Sequence, residues 1–473
     1  MLQSRGMGSP HRHAAAAMLR LCHVGVARRT VLLALTEAGL IAVALAVAVR
    51  LSSAGTGAEG TGAGLWLPLL SAFLGALCLY YCDLYDSAAM ASGFEVSARL
   101  LQAVGLLFLV TAGLNDLLRP SEWTQGGALV GVLLAAVVLA GWRGVFWLWN
   151  HSDRLAQPTL LFGDGPLAMR LAAEIQRRPE LGLHLVGCFS PGAPPGAVDC
   201  DAGNRLLQIT RRERVARIVI TMEERRGQWP AEELLCLKND GVRIEDGTEA
   251  YEAITGRIAI ESLRYSQILF ARGFTVSAAM RCYKRAASLA LACLALILAA
   301  PLMLAAAIAI RLDSPGPVIF RQRRVGWRGQ LFTLYKFRSM YVDVDANGQH
   351  LPARLRDPRI TRVGRWLRRT RWDELPQLFN ILRGDMHFVG PRPFVLNQER
   401  ELEAQIPFYR QRWAVRPGAT GWAQVHRGYC ATLADNEEKL SYDLFYIKNM
   451  SFSLDLLILL QTVKILLLGR GGR

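Results

Sequence analysis

The chain has 473 residues, 52% of them hydrophobic, a mean hydropathy of +0.20, and a formal net charge of +16 from 55 Lys and Arg against 39 Asp and Glu. That length exceeds one compact domain, and that hydropathy excludes an ordinary soluble enzyme; a membrane protein carrying globular parts fits. The positive charge admits nucleic acid, anionic lipid or phosphorylated substrates as partners, so its position along the chain has to choose among them.

Residues 1–30 form a basic tail with Arg5, Arg12, Arg20, Arg28 and Arg29 and no acid, while the first loop (50–64) holds one Arg and one Glu. This asymmetry predicts a cytoplasmic N-terminus and a retained anchor rather than a signal peptide. Four transmembrane helices are predicted within 31–150, over Val31 to Val49, Leu65 to Tyr81, Leu100 to Leu114 and Ala128 to Trp149, the third approaching the ~20 residues of a span least closely. Glu37 lies inside the first and reads as a helix-facing polar contact, since no second intramembrane acid accompanies it as a proton path requires. Trp142, Trp147 and Trp149 suit an aromatic belt at the membrane surface. Nine scattered cysteines, some in apolar runs (Cys78, Cys82, Cys293), form no paired C-x-x-C groups; reduced thiols follow, and neither a zinc site nor a disulfide framework.

Residues 151–275 turn soluble in character. Strands over Thr159 to Phe162, His184 to Phe189 and Arg217 to Thr221, a helix over Leu167 to Gln176 and a Pro/Gly-rich loop from Ser190 to Gly203 give a βαβ pattern. Gly163, Gly165 and Ala168 make G-x-G-x-x-A directly after the first strand, where glycines let a phosphate approach a helix N-terminus. The acid that holds a ribose at the end of the second strand is missing, because Phe189 and Ser190 stand there. The expectation is a Rossmann-like α/β domain without tight dinucleotide binding.

Ala286 to Ile310 is an uncharged run between Lys284 and Arg285 on one side and Arg311 on the other, with Pro301 inside it. Proline removes a helical hydrogen bond and clashes with the preceding turn. The fifteen residues before it reach ~22 Å, short of a ~30 Å bilayer core. A full crossing would also carry the arginine-rich segment 354–371 outside, against the positive-inside bias. The prediction is a re-entrant helix-break-helix over 286–310, breaking at Pro301, that keeps both flanks on one side; an ordinary kinked fifth span is the alternative.

Beyond the hairpin, within a catalytic domain placed at 276–473, come Ser314-Pro-Gly-Pro317, Arg321-Gln-Arg-Arg-Val-Gly326, Tyr335-Lys-Phe-Arg-Ser-Met340, Asp357-Pro-Arg-Ile-Thr361, Asp373-Glu-Leu-Pro-Gln377, Val389-Gly-Pro-Arg-Pro393 and Arg416-Pro-Gly-Ala-Thr-Gly421. Pro376 is tolerated only near a helix's first turn, so a helix begins near Asp373. Two acids at a helix start serve as capping groups in most settings. Here Arg368, Arg369 and Arg371 surround them with charge that can also hold phosphates.

In this order the strings resemble the bacterial sugar transferase family, the monotopic polyprenyl-phosphate phosphoglycosyl transferases, from about Lys284 to the C-terminus. The spans and Rossmann-like part are similar to its large members, and 241–284 to its exopolysaccharide-associated ones. The resemblance implies a mostly α catalytic domain that transfers sugar-1-phosphate from a UDP-sugar to a polyprenyl phosphate, with undecaprenyl phosphate the acceptor by the family's bacterial setting, and with release of UMP. It implies Asp373 as nucleophile forming an aspartyl phosphosugar, Glu374 as holder of Mg²⁺, and Lys336 and Asp443 as further catalytic groups. Arg338 accompanies Lys336 in its string, and Arg368, Arg392 and Arg416 are the remaining substrate-binding candidates, the last two in rigid proline turns. A strand with one solvated face (Lys336), a surface carboxylate paired with Lys439 or Lys448 (Asp443) and loop bracing (Arg392, Arg416) are the bland alternatives. Two departures from the family pattern fall in the hairpin: Ser288 where an Asp is common, and Ala300 where a Ser precedes the proline.

The eight arginines between Arg354 and Arg371 follow a membrane hairpin, so anionic headgroups, worth about 1 kcal/mol per basic residue, explain them without nucleic acid. Leu454 to Leu468 carries Asp455 and Lys464 and is expected as an interfacial amphipathic helix. The expected setting is a multi-pass protein of the bacterial inner membrane with the catalytic domain on its cytoplasmic face. Inner-membrane lipids are expected partners, and a homodimer and polysaccharide-assembly proteins are partners to test. The rival function is a non-catalytic scaffold binding nucleotide-sugars or assembly partners; retention of Lys336, Asp373, Glu374, Arg392 and Asp443 speaks against it.

Overall fold

The computed structural model describes residues 18–21, 24–54, 66–85, 93–118, 125–150, 156–189, 205–222, 230–271, 273–341, 357–427 and 432–468. The loop expected at 190–203, most of the basic tail and Arg354 lie outside them. Apart from Val24, which groups with the second, the described chain divides into two compact units between Ala250 and Tyr251, inside the helix Gly247–Thr255.

In the first unit, short strands β1 (Met18–Leu21) and β2 (Val24–Ala27) precede four helices, α1 (Arg28–Ala54), α2 (Trp66–Tyr81), α3 (Gly93–Leu118) and α4 (Gln125–Asn150). Thr30–Leu51, Val96–Leu114 and Leu129–Phe146 are long and apolar enough to cross a membrane. The shortest helix is α2, not the third as the apolar run suggested, because the mixed segments 93–99, with Glu95 and Arg99, and 115–118, with Asn115 and Asp116, extend α3 at both ends. The helices bury one seam, with Ile41 and Leu45 against Ala72, Leu79, Leu107, Val132 and Leu139. Small residues let it close: a Cβ at Gly131 would sit 3.0 Å from the Ala48 methyl. Glu37 is fully buried and pairs with Arg143 of α4 at 2.6 Å, and Trp142 donates to Thr36. The polar contact expected of Glu37 is thus a tie between α1 and α4.

Next follow β3 (Gln157–Phe162), α5 (Pro166–Arg177), β4 (Leu183–Phe189), α6 (Arg205–Arg212), β5 (Arg217–Ile220), α7 (Ala231–Asn239), β6 (Arg243–Asp246) and α8 (Gly247–Thr255). The four strands are all parallel, in the order β4-β3-β5-β6. Leu160, Phe162, Ile218 and Ile220 pack beneath Leu206, Leu234 and Leu237 of the helices, as strands buried on both faces require. Gly163, at φ 127°, closes against β5: a Cβ there would meet the Thr221 hydroxyl at 2.7 Å.

In the second unit, Ile258 and Ile260 join the same core as Leu440, Leu444 and Phe445. Residues 251–275, assigned from sequence to the preceding domain, therefore belong here; apolar contacts with distant residues, invisible in the local pattern, set the boundary. The elements are α9 (Tyr265–Phe270), α10 (Ala278–Asp313), the antiparallel pair β7 (Ile319–Val325) and β8 (Leu331–Phe337), α11 (Arg362–Thr370), a 3-10 turn (Trp372–Glu374), α12 (Gln377–Arg383), β9 (His387–Val389), α13 (Leu396–Gln405), β10 (Gly418–Thr420) parallel to β9, α14 (Trp422–His426), α15 (Leu433–Lys448) and α16 (Phe452–Leu467).

The 36-residue α10 runs through Pro301 with no non-helical residue at the expected break, and is long and apolar enough to cross a membrane. Both of its ends are nevertheless tied to the same globular fold. Near the start, Lys284 donates to the Val389 carbonyl at 2.9 Å and to Asp455 at 3.0 Å, and bonds the Tyr446 hydroxyl; Arg285 donates to the Ile381 and Leu382 carbonyls. Ser288, the departure from the family pattern, accepts the Phe388 N–H at 3.2 Å. Near the end, Ala306 and Ile310 pack on Phe337 and Leu367. Asp455 is thus committed to Lys284 rather than to solvent on an amphipathic face.

Candidate active site

Two acids stand in a short turn between α11 and α12, and local sequence explains the turn. Thr361 caps α11 by accepting the Gly364 N–H at 2.9 Å, and Gly364 cannot carry a side chain because a Cβ would lie 2.0 Å from the Ser339 carbonyl oxygen. At the far end Arg371 adopts φ 58°, ψ 19°, the left-handed conformation that usually ends a helix at glycine. For a side-chain-bearing residue this costs on the order of 1–2 kcal/mol. The reversal delivers Asp373 and Glu374 into the 3-10 turn, held by the Glu374 N–H to Arg371 carbonyl bond of 3.2 Å. Pro376 then caps α12, which places the helix start three residues after Asp373.

Around the pair the chain gathers cations from four other places. Lys336 of β8 donates to Glu374 Oε1 at 2.9 Å, Arg392 of the Pro391–Pro393 loop to the same oxygen at 2.5 Å, and Arg371 lies 3.9 Å from Oε2. Arg368 of α11 acts on Asp373, and Arg324 of β7 on Glu374 and Arg392. Five cations therefore face two carboxylates, a surplus of three positive charges.

The two acids respond oppositely. Burial pushes the Asp373 carboxyl above its ordinary range, with Glu374 adding to the rise while Lys336, Arg368 and Arg392 pull it back. Burial also acts upward on Glu374, but Arg392 and Lys336 outweigh it and hold that carboxyl well below its ordinary range. Arg324 is lowered to about 10 by burial and by Arg392 beside it. Buried donors also lack a partner: Arg324 Nε, Arg368 Nη1 and Gln377 Nε2. Buried polar groups are nearly always bonded, but Arg338 Nε at the end of α10 lacks a partner as well; it is the surplus of cations that marks this cluster as a place for an anion, and the unpaired donors add to it.

The remaining candidates divide. Asp443 is buried and accepts from Arg412 Nε at 2.9 Å; Arg412 also donates to Tyr409 Oη at 2.7 Å, lies 3.4 Å from Glu399, and donates to the Arg392 carbonyl at 2.8 Å. Asp443 thus reaches the dyad only through Arg412 and the Arg392 backbone. It is no surface carboxylate; of the two lysines considered for it, Lys439 acts on Asp443 while Lys448 pairs with Glu252. Arg338 is engaged elsewhere: its guanidinium donates to the carbonyls of Ile310, Ser314 and Pro315 and to the Ser314 hydroxyl, so it closes the end of α10, while its Nε has no partner. Arg416 lies over the Trp327 ring at 5.1 Å and makes no contact with the acids. Pro301 stays within α10, away from the turn.

Sequence reasoning named Arg371 only together with Arg368 and Arg369 as charge around the pair, and it missed Arg324 and Arg412. Arg324 stood in a quoted string, so its signal was present but undifferentiated among many arginines. Nothing local marks Arg412, whose role comes from contact with Asp443, 31 residues away.

Among the described residues no group of three or more His, Cys, Asp or Glu is arranged to hold a metal ion. Magnesium, however, is commonly held by one or two carboxylates together with substrate phosphates. Glu374 can supply such a carboxylate: the bonds from Lys336 and Arg392 both fall on Oε1, and Arg371 stands 3.9 Å from Oε2.

Comparison with known proteins points the same way. Residues 279–469 match the family model described as bacterial sugar transferase. The chain is similar to the UDP-glucose:undecaprenyl-phosphate glucose-1-phosphate transferase of Escherichia coli K12, 32% identical over 404 residues covering 80% of this chain and 84% of that one. It is 44% identical over 223 residues to the UDP-N-acetylgalactosamine-undecaprenyl-phosphate N-acetylgalactosaminephosphotransferase of Aeromonas hydrophila, covering 47% of this chain and only 52% of that relative's length. An exopolysaccharide production protein of Rhizobium leguminosarum is 44% identical over 175 residues, 36% of this chain and 87% of that one.

Proposed function

The chain belongs to the bacterial sugar transferase family, and from that premise we propose that it transfers sugar-1-phosphate from a UDP-sugar to undecaprenyl phosphate, releasing UMP. The observation that carries the reading is the cation surplus with unpaired donors around Asp373 and Glu374, a receptor for diphosphate charge beside a carboxylate nucleophile.

An Asp373 carboxylate oxygen attacks the sugar-bearing phosphorus, the bond from that phosphorus to the bridging oxygen breaks, and UMP leaves with the bonding electrons. A phosphate oxygen of the polyprenyl acceptor then attacks the same phosphorus and displaces Asp373, which returns as a carboxylate. Lys336 does two things: it lowers the Asp373 pKa, so more of the nucleophile is ionised, and it fixes Glu374. Arg392 holds Glu374 from the other side, and Arg368 and Arg324 offer unpaired donors to phosphate oxygens. Mg²⁺ held by Glu374 with the substrate phosphates would neutralise the leaving group. Asp443 acts at one remove, as a positioning residue through Arg412.

The rest of the molecule is read to match. The ties at both ends of α10 to one globular fold support a re-entrant hairpin, with the catalytic unit on the cytoplasmic face of the inner membrane. The parallel β4-β3-β5-β6 sheet supports a Rossmann-like domain. The stacked rings of Phe162 and Phe189 at its strand ends, 5.5 Å apart, and the closed Gly163 turn support its having no dinucleotide site. The relatives named above carry the names of different sugars, so family membership does not by itself select the sugar. A panel of radiolabelled UDP-sugars, given to the purified protein with Mg²⁺ and undecaprenyl phosphate and scored for label in the lipid phase and for UMP, tests the reading. No transfer from any member would overturn it.

A further inference from the structure

We propose that α9, together with Phe452 at the start of α16, is a bilayer-interface anchor at the base of α10, docking on the headgroup–acyl boundary of the membrane. The proposal rests on insertion of α10 into lipid.

Helix α9 exposes Tyr265 (71%), Leu269 (75%) and Phe270 (86%). Two fixed points set how it lies. The Tyr265 ring packs on Phe408 with centroids 4.8 Å apart. Three residues past its end, Gly273 at φ 127° is pressed against the Lys448 carbonyl, where a Cβ would come within 2.5 Å of the oxygen. Only glycine fits that position without strain. The fold therefore holds α9 in place with its large apolar side chains turned outward, which in water costs the burial each of them would otherwise gain.

The same fixed points locate it. Lys448 ends α15, and four residues later Phe452, itself 60% exposed, opens α16. The Phe452 ring meets Tyr283 of α10 edge-on at 5.5 Å. Tyr283 precedes the uncharged run of α10 by three residues, about 4.5 Å of helix rise. Phe452 thus lies where α10 passes from Arg281, Lys284 and Arg285 into its apolar stretch, whose Leu294, Ile297 and Leu298 are exposed. Leu269 and Phe270 belong to the segment pinned beside it, and Arg264 and Arg281 are exposed at its flanks. Aromatic and leucine side chains rimmed by arginine, continuous with a lipid-facing helix, have the composition of a segment lying in the headgroup region. A second copy of the chain could also cover such a patch, but continuity with the apolar surface of α10 favours lipid.

The test uses the full chain, with its native cysteines replaced, in nanodiscs of phosphatidylglycerol and phosphatidylethanolamine. Single cysteines at Phe270→Cys, Leu298→Cys and Asp240→Cys, all exposed positions, carry an environment-sensitive fluorophore. The expected result is loss of emission at 270 and 298 with doxyl-labelled lipids and none with aqueous iodide, and the reverse at 240. Quenching at 298 by lipid but at 270 by iodide overturns the anchor while leaving α10 inserted. Shielding of 270 from both quenchers assigns the patch to a protein partner and overturns the proposal. Iodide quenching at 298 removes insertion of α10, and the anchor with it.

Discussion

The second unit holds two clusters of opposite charges joined by one loop, and they differ in what they leave unfinished. Around Arg412, the acids Asp443 and Glu399, the Tyr409 hydroxyl and the Arg392 carbonyl take up a fully buried guanidinium. Around Asp373 and Glu374 the cations outnumber the acids, and donors of Arg324, Arg368 and Gln377 have no partner. A saturated cluster is scaffold; an unsaturated one awaits a ligand. The loop between them, Pro391-Arg392-Pro393, has its backbone fixed by the first and its side chain engaged by the second.

The sharpest way to break this contrast is at the proposed nucleophile. Asp373→Asn keeps size and fold but removes the attacking carboxylate, and UMP release should fall on the order of 10³-fold or more. Turnover near wild type would remove Asp373 from the chemistry.

Lys336→Met should lower turnover about 10²-fold, as for loss of one positioned donor of a charged site. It also carries a pH signature. The carboxylate form of Asp373 is the reactive one, and Lys336 lowers a pKa that burial has raised. Without the cation that pKa rises further, so the rising limb of the pH–rate profile should move to higher pH. An unmoved limb would mean that Lys336 does not act on Asp373.

At the saturated cluster, Asp443→Asn removes one charge from a buried pair, a change that costs ~3–5 kcal/mol when the partner is left uncompensated. The expected outcome is a lowered melting temperature and a fall in kcat of about tenfold, traced to a displaced Arg392. A loss of activity as deep as that of Asp373→Asn, with thermal stability intact, would place Asp443 among the reacting groups.

Smallest for catalysis is Arg338→Met. It strips the donor from carbonyls at the end of α10, at a cost of ~1–3 kcal/mol of stability, while KM for the UDP-sugar stays unchanged. A raised KM with unaltered stability would return Arg338 to the substrate.

The sequence made element type and motif order legible where a period or a punctuating residue carried them. The four N-terminal helices, the parallel strands and the helix start at Pro376 all fell near their expected places. It could not sort arginines. Arg338 and Arg392 stand in equally motif-rich strings, yet one closes a helix end and the other meets Glu374, because the choice depends on which distant carbonyl or carboxylate the fold brings near. Likewise the domain edge at 275 read as a change of composition, whereas the packing of Ile258 on Leu440 and Leu444 moves it to 250.

The binding of α10 at both ends bears on biogenesis. Ala292 sits in a core with Leu334, Leu378 and Ile381, and Ala306 in another with Phe337 and Leu367, so α10 supplies walls that the rest of the globular part cannot build from its own sequence. Residues 314–468 made alone should therefore collapse into protease-sensitive aggregate, and co-translational delivery of α10 to lipid becomes a step on the folding route of the catalytic turn. A quality-control protease that meets a chain whose helix failed to insert would meet it already open.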